Sequence, residues 1–358
     1  MTAELTEVLD RIDRTRRARP RVREQRLTMA HGAGGKATQT LVEAVFLEAF
    51  DNPELNALDD AAALTAGGAR LAFTTDSYVV KPLFFPGGDI GDLAVNGTVN
   101  DLAVAGARPR FLSAGFILEE GLPVADLTRI VASMGAAARA AGVSIVAGDT
   151  KVVPRGLADG CYITTAGVGV REHPRDFGVH LARPGDLVLV SGPIGDHGMT
   201  VLVARGDLDL EADLRSDTAA LTGLVDDLLA AAGEGVRGMR DATRGGVATI
   251  LNEIARAAGV TVVVDESAVP VRAGVRGAAE LLGIDPLYVA CEGRLVAVVA
   301  PEHAAAALAA LHAHPLGDQA AVIGRIDPDP AELVLLRTRF GGTRIVDLLV
   351  GDPLPRIC

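Results

Sequence analysis

The residues best suited to chemistry are a thiol at the very end of the chain and a series of carboxylates at the ends of apolar runs. The chain closes with Pro353-Leu354-Pro355-Arg356-Ile357-Cys358. Two prolines stiffen the approach toward extended geometry and Gly351 supplies a hinge, so residues 351–358 reach roughly 25 Å. This describes a flexible arm with a reactive tip that packs against no core element, exposed for loading and buried for reaction. Prenylation is excluded, because its signal places the cysteine four residues from the end. The α-carboxylate raises the thiol pKa, and Arg356 is near enough to offset part of that rise. A frayed terminus without function is the competing reading of the hexapeptide.

The carboxylates are Asp59 and Asp60 in Leu58-Asp59-Asp60-Ala61-Ala62, Asp76 at the end of the strand pattern 71–75, Asp101 within Val99-Asn100-Asp101-Leu102, and Asp149 in Gly148-Asp149-Thr150-Lys151. Any one of them taken singly is a helix or turn cap. Four such places flanking apolar segments in one half of the chain call for cations or hydrogen bonds, and Mg2+ shared with substrate phosphates meets that need. Glu292 follows an apolar run among Ala, Cys and Gly, a setting that buries a carboxylate and raises its pKa toward that of a useful base.

Two glycine-rich stretches could hold phosphate on backbone amides. The first, His31-Gly32-Ala33-Gly34-Gly35-Lys36, opens a helix. It is not a Walker A loop, since alanine stands at 30 and 37, and a helix cap explains it equally well. The second, Thr243-Arg244-Gly245-Gly246, precedes the helical pattern 247–258. A capped helix there needs no function.

The elements that must position these residues alternate: strand 71–75, helix 90–106, strand 111–118, helix 124–141, and strands 143–147 and 161–169. Such alternation predicts a mixed α/β layer. A new strand at 187–190 opens the second half, with a boundary near 175–182 and a linker over His173–His180. Cys161 and Cys291 lie inside apolar runs as packing residues. His312 and His314 fall on opposite sides of a helix end and make no metal site.

Composition narrows the class. A net charge of -12 argues against nucleic-acid binding. Three cysteines without CxxC indicate a reducing compartment. The apolar run Ala304–Leu311 is too short to span a bilayer. The first 28 residues carry eight arginines against five acids, without the apolar run of a signal peptide, and form an extension before a domain starting near Met29.

Together, over about residues 29 to 350, these motifs resemble the ATP-using superfamily related to aminoimidazole ribonucleotide synthetase, the PurM-like proteins. Gly195-Asp196-His197-Gly198, Ala290-Cys291-Glu292-Gly293-Arg294 and the terminal Pro355-Arg356-Ile357-Cys358 are similar to the HypE family of hydrogenase maturation proteins. The extension before Met29 departs from that pattern. The resemblance implies a two-domain α/β (α+β) fold, with a mixed α/β ATP-binding domain over 29–175, a C-terminal α/β domain over 183–350 and a tail over 351–358. It also implies a cytoplasmic homodimer with ATP near the interface. The implied reaction is ATP-dependent dehydration of an S-carbamoyl group on Cys358 to a thiocyanate, which supplies cyanide ligands for the iron of nickel-iron hydrogenase. HypF would load the carbamoyl group and the HypC/HypD complex would take the cyanide.

By the same resemblance, Mg2+ lies on Asp59, Asp60, Asp76, Asp101 and Asp149. ATP is held by Gly32, Gly34, Gly35, Asp76, Asn100, Asp101, Asp149, Thr150, Thr243, Arg244 and Gly245. Lys151 stabilises charge, Glu292 is the general base and Cys358 the tether. The related synthetases and thiamine-phosphate kinase share the ATP site, but a terminal cysteine is not part of their pattern. A scaffold that only carries the carbamoyl or cyano group is the non-enzymatic alternative.

Overall fold

The computed structural model describes residues 21–22, 24–206, 212–330, 332–351 and 356–358. The expectations about residues 1–20 and about the prolines of the arm fall outside the described residues. In the first half, strands β1 (Ala62–Ala66), β2 (Ala69–Tyr78), β5 (Arg108–Glu119), β6 (Ser144–Val153) and β7 (Cys161–Val170) form a sheet in the order β1-β2-β7-β5-β6; β3 (Phe84–Phe85) and β4 (Gly88–Asp89) make a separate small hairpin. Pairing in the sheet is antiparallel except between β5 and β6. A parallel pair needs a crossover. Helix α2 (Val124–Ala141) supplies it.

Helix α1 (Ile90–Val104) starts where the Asp89 side chain accepts hydrogen bonds from the amides of Gly91 and Asp92. It is buried almost all round and brings Asn96, Thr98, Asn100 and Asp101 beneath the sheet. Gly97 is required there, because a Cβ would stand 2.2 Å from the Tyr78 hydroxyl. The inner face of the sheet buries Ala72, Thr74, Ile163 and Thr165, whereas Leu64, Phe73, Phe111 and Ile117 on the outer face are exposed. β6 runs on to Val153, past the expected end at 147. Nearly all its residues are exposed, so they carry no alternation from which to read a strand.

The second half is built on a seven-stranded sheet of β8 (Leu187–Val190), β9 (Val236–Asp241), β10 (Thr261–Asp265), β11 (Leu295–Val299), β12 (Ala321–Asp327), β13 (Leu333–Arg337) and β14 (Thr343–Ile345), in the order β14-β13-β10-β12-β8-β11-β9. Around it lie α3 (Asp196–Ala204), α4 (Thr222–Ala232), α5 (Gly246–Ala258), α6 (Ala273–Leu282) and α7 (Pro301–Ala313). α5 buries Val247, Ile250, Leu251 and Ile254, the spacing of one helix face. Its tight entry uses Gly245 and Gly246 at φ 83° and 62°, and a Cβ on Gly246 would meet the Leu287 carbonyl at 2.6 Å. No helix of the described residues is long and apolar enough to cross a membrane.

One apolar core joins Ile90, Leu93, Val99 and Ile163 of the first half to Met199, Val275 and Val289 of the second, and it includes Ile357 and Cys358. The expectation that the tip packs against no core element is therefore corrected. Ile357 is 3% and Cys358 7% exposed.

Candidate active site

The chain end lies alongside residues 79–81 and is held there by backbone hydrogen bonds. Val79 donates its N–H to the Cys358 carbonyl oxygen at 3.1 Å and Lys81 donates to Arg356 at 3.2 Å. The Arg356 oxygen also accepts from Arg205 Nη2 at 2.8 Å, and the Ile357 oxygen meets His197 Nε2 at 2.6 Å. All three last carbonyls thus have donors. The Arg356 side chain pairs with Asp159. It is Arg244, and not Arg356 as expected, that reaches the thiol: Arg244 Nη2 lies 3.1 Å from Cys358 Sγ and 3.4 Å from its oxygen. Burial pushes the Cys358 thiol up to about 11 against the pull of Arg244.

The glycine loops meet over this tip. Arg244 Nη1 donates to the Gly32 carbonyl at 2.9 Å. A Cβ on Gly34 would lie 2.8 Å from the Arg244 carbonyl, and one on Gly35 2.5 Å from that of Leu349. Thr243 stands half-buried at the same turn, its carbonyl accepting from Gly246. Gly245 allows the close pass, since a Cβ there would strike Thr249 Oγ1 at 2.2 Å.

The carboxylates gather where β2, α1 and β9 converge. Oxygens of Asp60, Asp101 and Asp241 lie within 4.8 Å of one another. Thr74 Oγ1 ties two of the partners together, lying 2.7 Å from Asp101 Oδ2 and 2.9 Å from the Asp60 carbonyl oxygen. Tyr78 and Thr98 hydroxyls hold Asp76 at 3.3 and 3.4 Å. Burial, reinforced by neighbouring carboxylates, raises Asp101 and Asp241 well above the usual carboxylate range; burial also raises Asp60 against the pull of Arg240, and Asp76 against its hydrogen bonds. Glu292, 3% exposed, is raised well above its ordinary value by burial and then by Asp241, Asp217 and Asp76. Oxygens of Asp241 and Glu292 are buried without a hydrogen-bond partner. Asp241, missed in the sequence, ends β9 as Asp76 nears the end of β2, a strand-end placement that could have marked it.

Three expectations change. Asp59 faces Arg240 Nη2 at 3.1 Å and is not one of the three clustered carboxylates. Asn100, expected at the nucleotide, spends its side chain on backbone: its amide donates to the carbonyls of Ala219 and Glu292 and accepts from the Leu221 N–H. Asp149, Thr150 and Lys151 lie on edge strand β6, and Lys151 Nζ is bonded to Asp149 at 2.8 Å with both side chains about 70% exposed. In register, Asp76 is level with Gly148 across β7 and β5, three strand spacings or roughly 14 Å away. Asp149 and Lys151 stand level with Gly115 and Ile117, on the outer face. A one-residue offset flips the face. One chain therefore does not bring Lys151 to Cys358.

Burial also raises Asp92 and Asp196 to about 6. A carboxyl raised in the fold contributes stability that is complete below its unfolded pKa and lost as pH climbs through the folded value. The melting temperature of the nucleotide-free protein is expected to fall between about pH 4 and pH 7, with Asp196→Asn flattening that slope in a calorimetric pH series.

Comparisons with known proteins agree with this architecture. Residues 58–171 match the family model described as AIR synthase related protein, N-terminal domain, and residues 183–335 match its C-terminal domain. The carbamoyl dehydratase HypE of Rhizobium leguminosarum bv. viciae is 56% identical over 333 residues, 93% of this chain and 95% of that protein. The crystal structure of a HypE-HypF complex superposes with a TM-score of 0.82 at 48% identity, covering 86% of this chain and 99% of that one. A HypE in complex with ATP does so with 0.78 at 50% identity, over 93% and 100%. The chain belongs to the HypE family of carbamoyl dehydratases, within the AIR synthase related proteins.

Proposed function

We propose that the docked thiol carries a carboxamide which this chain dehydrates with ATP. As a member of its family the chain is an ATP-dependent carbamoyl dehydratase. It converts the S-carbamoyl group on its own Cys358 to a thiocyanate that supplies cyanide ligands to the iron of nickel-iron hydrogenase. The observation that carries this reading is Cys358 Sγ held 3.1 Å from Arg244, within electrostatic reach of Glu292 and Asp76.

The clustered Asp60, Asp101 and Asp241 offer the hard oxygen ligands that Mg2+ takes, and the partnerless Asp241 oxygen fits a bound cation. Bound there, Mg2+ would neutralise charge on the ATP phosphates. The loop Gly32–Gly35 and the entry to α5 at Thr243–Gly245 cradle those phosphates. The carboxamide oxygen takes the γ-phosphoryl group, which makes it a good leaving group. One nitrogen proton is lost to solvent as the phosphorylated imidate forms, and Glu292 removes the second as phosphate departs and the carbon–nitrogen triple bond closes. Arg244 holds the sulfur end and faces the charge that develops.

HypF, seen with a HypE in the related complex, is the carbamoyl donor partner. HypC/HypD receives the cyanide, in the cytoplasm. The ATP-binding part is residues 29–175 and the C-terminal part 183–350. The exposed outer face of the first sheet, with Leu64, Phe73, Phe111 and Ile117 beside Asp149 and Lys151, is the homodimer interface, and it delivers Lys151 to the partner's site. Phe111→Asp is expected to halve the mass measured by light scattering and to slow dehydration as Lys151 is withdrawn.

Intact-protein mass tests the reading. After loading by HypF, addition of ATP and Mg2+ should remove one water per chain. A carbamoyl mass that persists while ATP is present would leave only the carrier role.

A further inference from the structure

We propose that His197, held by Ser216, is a positioning residue that seats the tail for reaction. The inference rests on the dehydratase reading and deepens it. His197 is fully buried and stands between the chain end and the loop 212–221. Its Nε2 lies 2.6 Å from the Ile357 oxygen and its Nδ1 2.8 Å from Ser216 Oγ. A peptide oxygen only accepts, so Nε2 carries the hydrogen. In the neutral ring Nδ1 is then an acceptor, and the Ser216 hydroxyl must donate to it. Ser216 Oγ in turn accepts the Thr218 N–H at 3.1 Å. The relay runs one way, from Thr218 through Ser216 and the imidazole to the tail. Burial lowers the His197 pKa, which favours that neutral ring. Phe85 packs edge-on at 5.4 Å and fixes the ring plane.

The same loop is anchored on α1 and on the base. Asn96 Nδ2 donates to Thr218 Oγ1 at 3.1 Å, and Ser216 donates its N–H to the Pro86 carbonyl at 2.9 Å. Asp217 Oδ1 accepts the Glu292 N–H at 3.0 Å. One loop therefore fixes both the residue before the reactive sulfur and the backbone of Glu292. The Ile357 oxygen precedes Cys358 by one peptide, and the Val79 N–H holds the oxygen after it. With both sides of the Cys358 Cα held, the sulfur has a defined origin relative to Glu292 and Arg244. Both imidazole nitrogens are committed, so His197 is not the proton acceptor.

The experiment uses the full chain loaded by HypF and follows water loss by intact mass in a single turnover with saturating ATP and Mg2+. His197→Asn places its amide nitrogen at the Nδ1 position, out of reach of the tail, and should slow water loss about tenfold, the scale of one buried hydrogen bond. His197→Gln extends a donor to the Nε2 position and should stay within about threefold of the unsubstituted chain. Ser216→Ala frees the imidazole to take the other tautomer and should fall between them. Nucleotide affinity should stay unchanged in all three, and melting temperature should fall by no more than the few degrees that one or two buried hydrogen bonds are worth.

Equal slowing by His197→Asn and His197→Gln, or water loss at the full rate in His197→Asn, would overturn the proposal. Should the unsubstituted chain lose no water, the dehydratase reading fails by itself. Alkylation of unloaded Cys358 by iodoacetamide still reads the seating: it should speed up several-fold in His197→Asn and not in His197→Gln, and equal rates would sink the positioning role.

Discussion

Cys358→Ala is expected to abolish dehydration outright, with no mass gained from HypF and none lost with ATP, while nucleotide binding persists. The thiol is the only attachment point for the carboxamide, and tethering turns its encounter with ATP into a unimolecular step worth several kcal/mol of barrier. The tip is buried, however, so the variant also probes the fold. Alanine keeps the backbone pairing to Val79 and loses only the sulfur contact with Arg244, a cost of about 1 kcal/mol and a melting shift of about 2 °C. Deleting residues 356–358 removes the Ile357 side chain from the core along with three accepting carbonyls, and should lower the melting temperature further. If both variants melted with the unsubstituted chain, the docked tip would contribute nothing to stability and the burial of Ile357 would lose its meaning.

Glu292→Gln should slow water loss by about 10²–10⁴, the usual range for a positioned base. Glutamine keeps the shape and cannot take the proton. Nucleotide affinity serves as the control and should change little. In the unsubstituted chain burial and the neighbouring carboxylates raise the Glu292 pKa, so the base gains its charge only as pH rises and the rate should climb with pH. That climb should vanish in the variant. Carbamoyl labelled at oxygen adds an independent check, because phosphorylation of the carboxamide places the label in inorganic phosphate. Label in water would mean that ATP drives a conformational step instead. Normal dehydration by Glu292→Gln would move the base elsewhere.

Much of this site was legible in the sequence because carboxylates at strand ends are costly without partners, which singled out Asp60, Asp76 and Asp101. Glycine spacing likewise marked the turns at 32–35 and 243–246, where a Cβ on Gly34, Gly35 or Gly246 would collide with neighbouring backbone. The loop 212–221 escaped notice. Ser216, Asp217 and Thr218 resemble any polar turn, and their role comes from contacts with Asn96, His197 and Glu292, far away along the chain. The docking of the tail was invisible for the same reason: the partners of residues 356–358 are the backbone amides at 79 and 81 and the side chains of Asp159, His197, Arg205 and Arg244, all far away along the chain. Asn100 was placed correctly in an apolar helix, but its hydrogen bonds to the backbone of Ala219, Leu221 and Glu292 were not legible, since motif order does not say which way an amide points.

On the proposed dimer, in which the outer face lends Lys151 to the partner's site, the two copies would be mutually dependent. A Lys151→Ala chain keeps a thiol it cannot process, and a Cys358→Ala chain keeps a lysine it cannot use. Each homodimer is then inert. Mixed and allowed to exchange subunits, they form heterodimers in which the first chain's thiol meets the second chain's lysine, one competent site out of two. An equimolar mixture should recover about a quarter of the unsubstituted activity, a complementation impossible if every site were completed within a single chain.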